Sequence, residues 1–311
     1  MPAEPSVLRI IEAHRASTEA LRARVLNALE RLWAVQPGWH DVDVVRWLGS
    51  VVPLMEGAQV QTAAVTDAYL ARIEAEILAV PARPVGVPTE VVSTQGLRGV
   101  PATEVWQRPA VTVRTALSEG LDLRTAADRG FNRVRELAET NLQLAETHAT
   151  RHVHQAKRNV AGYRRVPRGR SCPLCLLAST QRYHKAELMP IHPGCHCKTH
   201  TIYGSHDPGQ VLDPAGVDAV HQAVADFTGQ PVDRAATAVD YRKFVVTHDH
   251  GEIGPVLARR GQDWTGPRDI KTERARSREA ASIDKAKAAP AGTDATDPRV
   301  QGILNLQPLK S

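Results

Sequence analysis

Residues 5–35, "PSVLRIIEAHRASTEALRARVLNALERLWAV", decide the fold class. Leu8, Ile11, Leu21, Val25, Leu29 and Leu32 recur at helical spacing, and after Pro5 neither glycine nor proline interrupts the run. This pattern predicts one long amphipathic helix. The segment "QPGWHD" (36–41) ends it, and Asp41 is placed to cap a second helix that runs toward Leu78 with an irregularity at Pro53. An antiparallel helical pair over residues 1–80 is the simplest outcome. Composition agrees, because 42% of the 311 residues are apolar but only 4% are aromatic, which suits helices better than a β-sandwich.

Beyond this pair, "VPARPVGVPTEVVSTQGLRGVP" (80–101) holds four prolines and three glycines, so 81–101 reads as a linker or extended arm. Two further helices are expected, one near 103–118 and one from about Leu123 to Ala161. The second has an acid-tempered N-terminal half and a basic C-terminal half, which complements the helix dipole. After it, "HTIYG" and "KFVVTH" read as short strands and Asp213–Thr228 as a helix. Residues 271–311 read as a charged, disordered tail. The expected architecture is mostly α: long amphipathic helices plus a small irregular α/β core module stabilised by zinc. The core spans 102–270, with the zinc module at 165–205. No run of 18 apolar residues predicts a membrane span, and "MPAEPSVLRIIEAHR" shows no signal-peptide core, so production in the cytoplasm is expected.

The chemistry concentrates in "SCPLCLLASTQRYHKAELMPIHPGCHC" (171–197), which holds all four cysteines. The spacing is Cys172-x2-Cys175, sixteen residues, then His192-x2-Cys195-x-Cys197. Two thiolates two residues apart can reach one ion, and a second pair completes a tetrahedron, so the window reads as a zinc site and not as disulfides. Five candidates compete for four places: Cys172, Cys175, His192, Cys195 and Cys197. Three cysteines with one histidine is favoured, because ligation by both ends of Cys-x-Cys is geometrically tight. Four protein ligands leave no open position, so such a zinc is structural. The competing reading is a cluster of buried free cysteines used as core residues.

The run "YRRVPRGRSCPLCLLASTQRYHKAELMPIHPGCHC" (163–197) resembles the Mu F-like minor head protein (phage head morphogenesis) family of tailed bacteriophages. The likeness lies in the Cys-x2-Cys pair, the loop after it, and the ending Pro190-x-His192-Pro193-x-Cys195-x-Cys197. The preceding helical region and the tail "HGEIGPVLARRG" are also similar to actinobacteriophage members. The resemblance implies a minor capsid protein of the virion, at the portal vertex or in the head interior. It implies roles in head assembly and in DNA packaging and ejection, with portal, major capsid and scaffold proteins as partners. It also raises a runner-up, since some such proteins are capsid maturation proteases fused to a Mu F-like part.

For a protease, Ser179 as nucleophile with His184 as base is the arrangement to weigh, although no nucleophile-elbow glycines surround the serine. A zinc-stapled nuclease could cast His184 as the catalytic histidine, but its partner residues are missing. His248, His250 and Glu252 in "HDHGE" alternate onto one side of a strand and offer a second metal cluster, with a polar turn as the plainer reading. His152 and His154 read as solvated. The block Arg151–Arg170 carries seven Lys/Arg and no acid. Within it Arg158, Arg164, Arg165, Arg168 and Arg170 are candidates for sequence-independent contact with DNA phosphates, or for a merely solvated face.

Overall fold

The computed structural model describes residues 5–167, 173–192, 194–207 and 245–260, with isolated positions at 218, 221, 222 and 225. The fold is mostly α. Helices α1 (Pro5–Ala34), α2 (Asp41–Leu78), α5 (Ala102–Ser118) and α6 (Leu123–Ala156) pack into a bundle. Two short helices, α3 (Thr89–Val92) and α4 (Thr94–Arg98), lie between α2 and α5 in sequence. Beyond the bundle come β1 (Val160–Val166), α7 (Pro173–Ser179), β2 (Arg182–Tyr183), β3 (Lys198–Tyr203), β4 (Val245–His250) and β5 (Gly254–Arg259). The order β2-β1-β3 forms one antiparallel sheet, and β4 and β5 form a hairpin. No helix among the described residues is long and apolar enough to cross a membrane.

The apolar positions of 5–35 behave as their spacing requires. Leu21, Val25 and Leu29 of α1 meet Trp47, Val51 and Met55 of α2, Val105 and Trp106 of α5, and Val134, Leu137 and Leu142 of α6. The buried Trp47 indole N–H donates to the Trp106 carbonyl at 2.9 Å, so the largest ring of this core is also hydrogen-bonded. Toward the sheet, Val7, Ile10 and Ile11 pack with Tyr69, Leu70 and Ile73 and with Val160, Val166 and Tyr203. The bundle floor is thus the face on which β1 and β3 rest.

Several boundaries differ from the sequence reading. Pro53 does not break α2: it and Gly49, whose carbonyl loses its helical partner, both face solvent and not the core, so the lost bond is not buried. Asp41 is the first helical residue and not the cap. Asp43 accepts the His40 N–H at 3.3 Å, while Asp41 pairs with Arg114 at 2.7 Å. The predicted linker is extended only in its first half. Asp67 accepts the Val85 and Gly86 N–H groups at 3.0 and 2.7 Å, and Val92, Thr94 and Leu97 are buried. A polar chain closes over it: Gln59 donates to the Val92 carbonyl, and Arg98 donates to Asn141 at 2.6 Å. The last long helix stops at Ala156, because "VAGYRRV" leaves as a strand whose pairing with β3 outweighs its weak helical pattern. The helix expected at Asp213–Thr228 and the tail 271–311 lie outside the described residues, apart from the isolated positions.

One glycine sets how closely the two helical hairpins meet. A Cβ at Gly130 of α6 would stand 2.4 Å from Val113 Cγ2 and 2.8 Å from Trp33 Cζ2. Gly130→Ala is therefore expected to destabilise by about 1–3 kcal/mol despite alanine's higher helix propensity, which chemical denaturation measures directly.

Candidate metal centre

Two pieces of the sulfur window converge. Cys175 sits in the first turns of α7, while His192 and Cys195 lie in the loop that enters β3. That loop is fastened on its outer side by Ile191, whose N–H donates to the Pro255 carbonyl and whose carbonyl accepts the Leu257 N–H, a parallel bridge to β5. A turn follows, in which the Cys195 N–H donates to the His192 carbonyl at 3.1 Å. Gly194 has φ +72° there, a left-handed conformation that a side chain would strain. The turn thereby directs His192 and Cys195 to the same point.

The donor atoms of Cys175, His192 and Cys195 all lie within 4.8 Å of one another. Cys175 Sγ is 2.9 Å from His192 Nε2 and 3.5 Å from Cys195 Sγ. Around a tetrahedral zinc the corresponding separations are about 3.6 and about 3.8 Å, so a small outward shift fits an ion at the centre. These three residues can hold a metal ion. Cys197 is buried against Cys175 and Cys195 but falls outside the set of mutually close donors. Cys172 lies outside the described residues. Of the five sequence candidates, the structure therefore brings three together directly and keeps a fourth alongside.

No protein-family model, curated protein or solved structure matches the chain. The centre has to be understood from its own residues.

The charge around it is arranged for thiolates. Arg165 of β1 is wholly buried, with Nη1 3.3 Å from Cys195 Sγ and 3.8 Å from Cys175 Sγ, while Nη2 donates to the Pro190 carbonyl. Burial alone would lower its pKa, but the adjoining sulfurs outweigh burial and keep the guanidinium charged. Contacts with Cys175 and Cys197, helped by Arg165, hold the Cys195 thiol well below its usual range in spite of burial. Cys197 moves the other way, to about 12: contact with Cys175 lowers it, but contact with Cys195 and burial together prevail.

His196, which interleaves with the cysteines, turns away from the sulfurs toward α1. Arg15 Nη1 donates to its carbonyl at 2.6 Å, Arg22 Nη1 lies 2.9 Å from its Nδ1, and Glu19 stands 3.8 Å from the same ring. Two residues further on, Lys198 Nζ donates to Thr18 Oγ1 at 2.8 Å and to Glu146 at 2.7 and 2.8 Å. Positions 15, 18, 19 and 22 form one face of α1, so the loop end of the centre is gripped by the first helix of the bundle. Sequence spacing showed none of this, because the α1 partners lie 174 to 181 residues away and Glu146 lies 52 residues from Lys198.

The other candidates disperse. Ser179 is buried and its hydroxyl donates to the Leu176 carbonyl at 2.6 Å, whereas His184 is exposed and accepts the Ala186 N–H at 3.2 Å. The proposed serine–histidine pair is not assembled, because each side chain is committed to its own local turn. In "HDHGE", Glu252 forms a two-point pair with Arg108 at 2.7 Å for both bonds, which removes it from any second metal cluster with His248 and His250. His154 is not solvated: it is buried, 2.9 Å from Thr201 Oγ1, because β3 covers that face of α6. Among the five basic candidates, Arg165 is buried at the sulfurs and Arg164 is paired with Asp207 at 2.5 and 2.9 Å. Arg158 is exposed, and Arg168 and Arg170 lie outside the described residues.

Proposed function

We propose that this chain is a minor head protein of the Mu F-like kind, a virion component whose zinc ion staples a compact module to a helical bundle. The observation that carries the proposal is the convergence of Cys175, His192 and Cys195, since these residues belong to the motif on which the family resemblance rests. Zinc suits two or more thiolates with imidazole better than magnesium, calcium or manganese would. In this reading Cys175, His192 and Cys195 bind the ion, with Cys172 or Cys197 as the fourth ligand. When bound, the ion supplies a rigid cross-link between α7 and the loop entering β3. The bundle supplies the surface for portal, major capsid or scaffold subunits. Ser179 is buried with its hydroxyl donated to Leu176 inside α7, which favours the structural reading over the protease one. Of the basic candidates that are described, only Arg158 is both exposed and unburdened by an ion pair, so the reading rests on protein partners and not on DNA.

Co-expression with a cognate portal, scaffold and major capsid protein tests this. The chain is expected to co-purify with portal or with heads, the capsid proteins are expected to keep their full length, and Cys195→Ser is expected to cut incorporation at least tenfold. A shortened capsid or scaffold product that disappears with Ser179→Ala would replace this reading by the protease one.

A further inference from the structure

The side chain of Arg165 is wholly buried, and no carboxylate pairs with it among the described residues. Its Nη1 points at Cys195 and Cys175 at 3.3 and 3.8 Å, and its Nη2 is fixed by the Pro190 carbonyl two residues before His192. A guanidinium cannot shed its proton in a protein, and a buried charge without a counter-charge is strongly disfavoured. The compensating charge must therefore come from the sulfur cluster itself. A divalent ion with two thiolates and two neutral ligands is neutral and would leave Arg165 uncompensated. With three thiolates and one imidazole the centre carries one negative charge, which Arg165 balances. With four thiolates it carries two.

We infer that the centre is a three-thiolate, one-histidine site of net charge −1, and that Arg165 is its built-in counter-cation and a hydrogen-bond donor to the ligand sulfurs. The inference rests on the metal reading proposed above. Arg165 acts on the ion through Cys195 and Cys175, so it is a positioning residue. The register places it there: Arg165 faces Thr199 across the β1–β3 ladder, two residues past Cys197, so the central strand of the sheet also delivers the charge. By donating to the sulfurs, it draws off thiolate electron density, which makes the centre harder to protonate and slower to exchange its ion.

Zinc content and X-ray absorption at the zinc edge of the full-length chain test this, together with chelator competition on Arg165→Met and Arg165→Lys. The expected results are one zinc per chain, three sulfur and one nitrogen neighbours, and an affinity ten- to a hundredfold weaker for Arg165→Met. Arg165→Lys keeps the charge and is expected to lose less, which separates a counter-charge from a packing role and serves if the methionine variant does not fold. A zinc shell of two sulfurs and two lighter ligands would overturn the inference, as would equal losses for Lys and Met or no loss for either. A wild-type chain that purifies and refolds without any divalent ion would overturn the metal reading itself, a distinct outcome.

Discussion

Removing the ion with a strong chelator is expected to lower the thermal midpoint of the full-length chain by about 10–20 °C, the equivalent of about 5 kcal/mol for a domain of this size. Cys195→Ser should reproduce the loss and abolish stoichiometric zinc. The effect follows from what the ion joins, since it links α7 to the loop entering β3 at a buried cluster of Cys175, Cys195 and Cys197, next to a buried arginine that needs thiolates opposite it. Once the ion is gone, the sulfurs either repel one another as thiolates or take up protons and leave Arg165 without its counter-charge. The damage should spread to α1, because Arg15 and Arg22 hold the His196 end of the same loop. The bundle core around Trp47 and Leu29 has no such dependence and should keep its helices. Circular dichroism should therefore retain most helical signal while near-ultraviolet and hydrogen-exchange signals of residues 173–206 collapse. An unchanged melt after verified metal removal would sink the expectation.

Glu146→Gln is expected to cost about 3–5 kcal/mol, measured by urea denaturation, although it changes one atom of the side chain. Glu146 projects from α6 into a nearly closed space between α1 and β3. There it accepts from Lys198 at 2.7 and 2.8 Å and lies 3.2 Å from His14. The Lys198 side chain is 4% exposed, so a neutral partner leaves a cation buried without its counter-charge. The double variant Glu146→Gln/Lys198→Met should recover much of the loss, since deleting both members of a buried pair is often near neutral.

The same residue makes the fold acid-labile. Burial raises the Glu146 pKa, but the charge of Lys198 and the hydrogen bond with His14 outweigh it and bring it to about 2, against 4.5 for the free side chain. Its stabilisation is thus complete above about pH 4.5 and is lost as pH falls toward 2, amounting to about 3 kcal/mol. His154 adds to the effect from higher pH. Burial and the nearby lysines lower its pKa from 6.5 to about 3, so the unfolded chain binds a proton that the folded chain refuses. Stability should therefore begin to fall below pH 6.5 in the wild type, and the segment below pH 4.5 should flatten in Glu146→Gln. An acid profile identical in the two proteins would contradict the assignment.

The long helices and the sulfur cluster were legible because both are local in sequence. A 3.6-residue apolar period records which side of a helix will be buried, and Cys-x2-Cys with His-x2-Cys records two short turns able to present donors. Everything that gives those donors their setting was not legible. Arg165 looks like one more member of a basic block until β1 pairs with β3 and turns it inward. Ser179 and His184 look like neighbours until α7 folds the serine back on Leu176. The second half of the apparent linker looks unstructured until Gln59 and Asn141 surround it. The helical class follows from residues within one or two turns of each other, and the three ligand candidates from two short motifs 17 residues apart. The counter-charge joins positions 10 and 30 residues apart across a strand, and the Glu146–Lys198 pair and the grip of α1 on His196 join positions 52 to 181 residues apart. Their energies come from excluding water around charge, a condition that exists only once the bundle and the sheet have closed on one another.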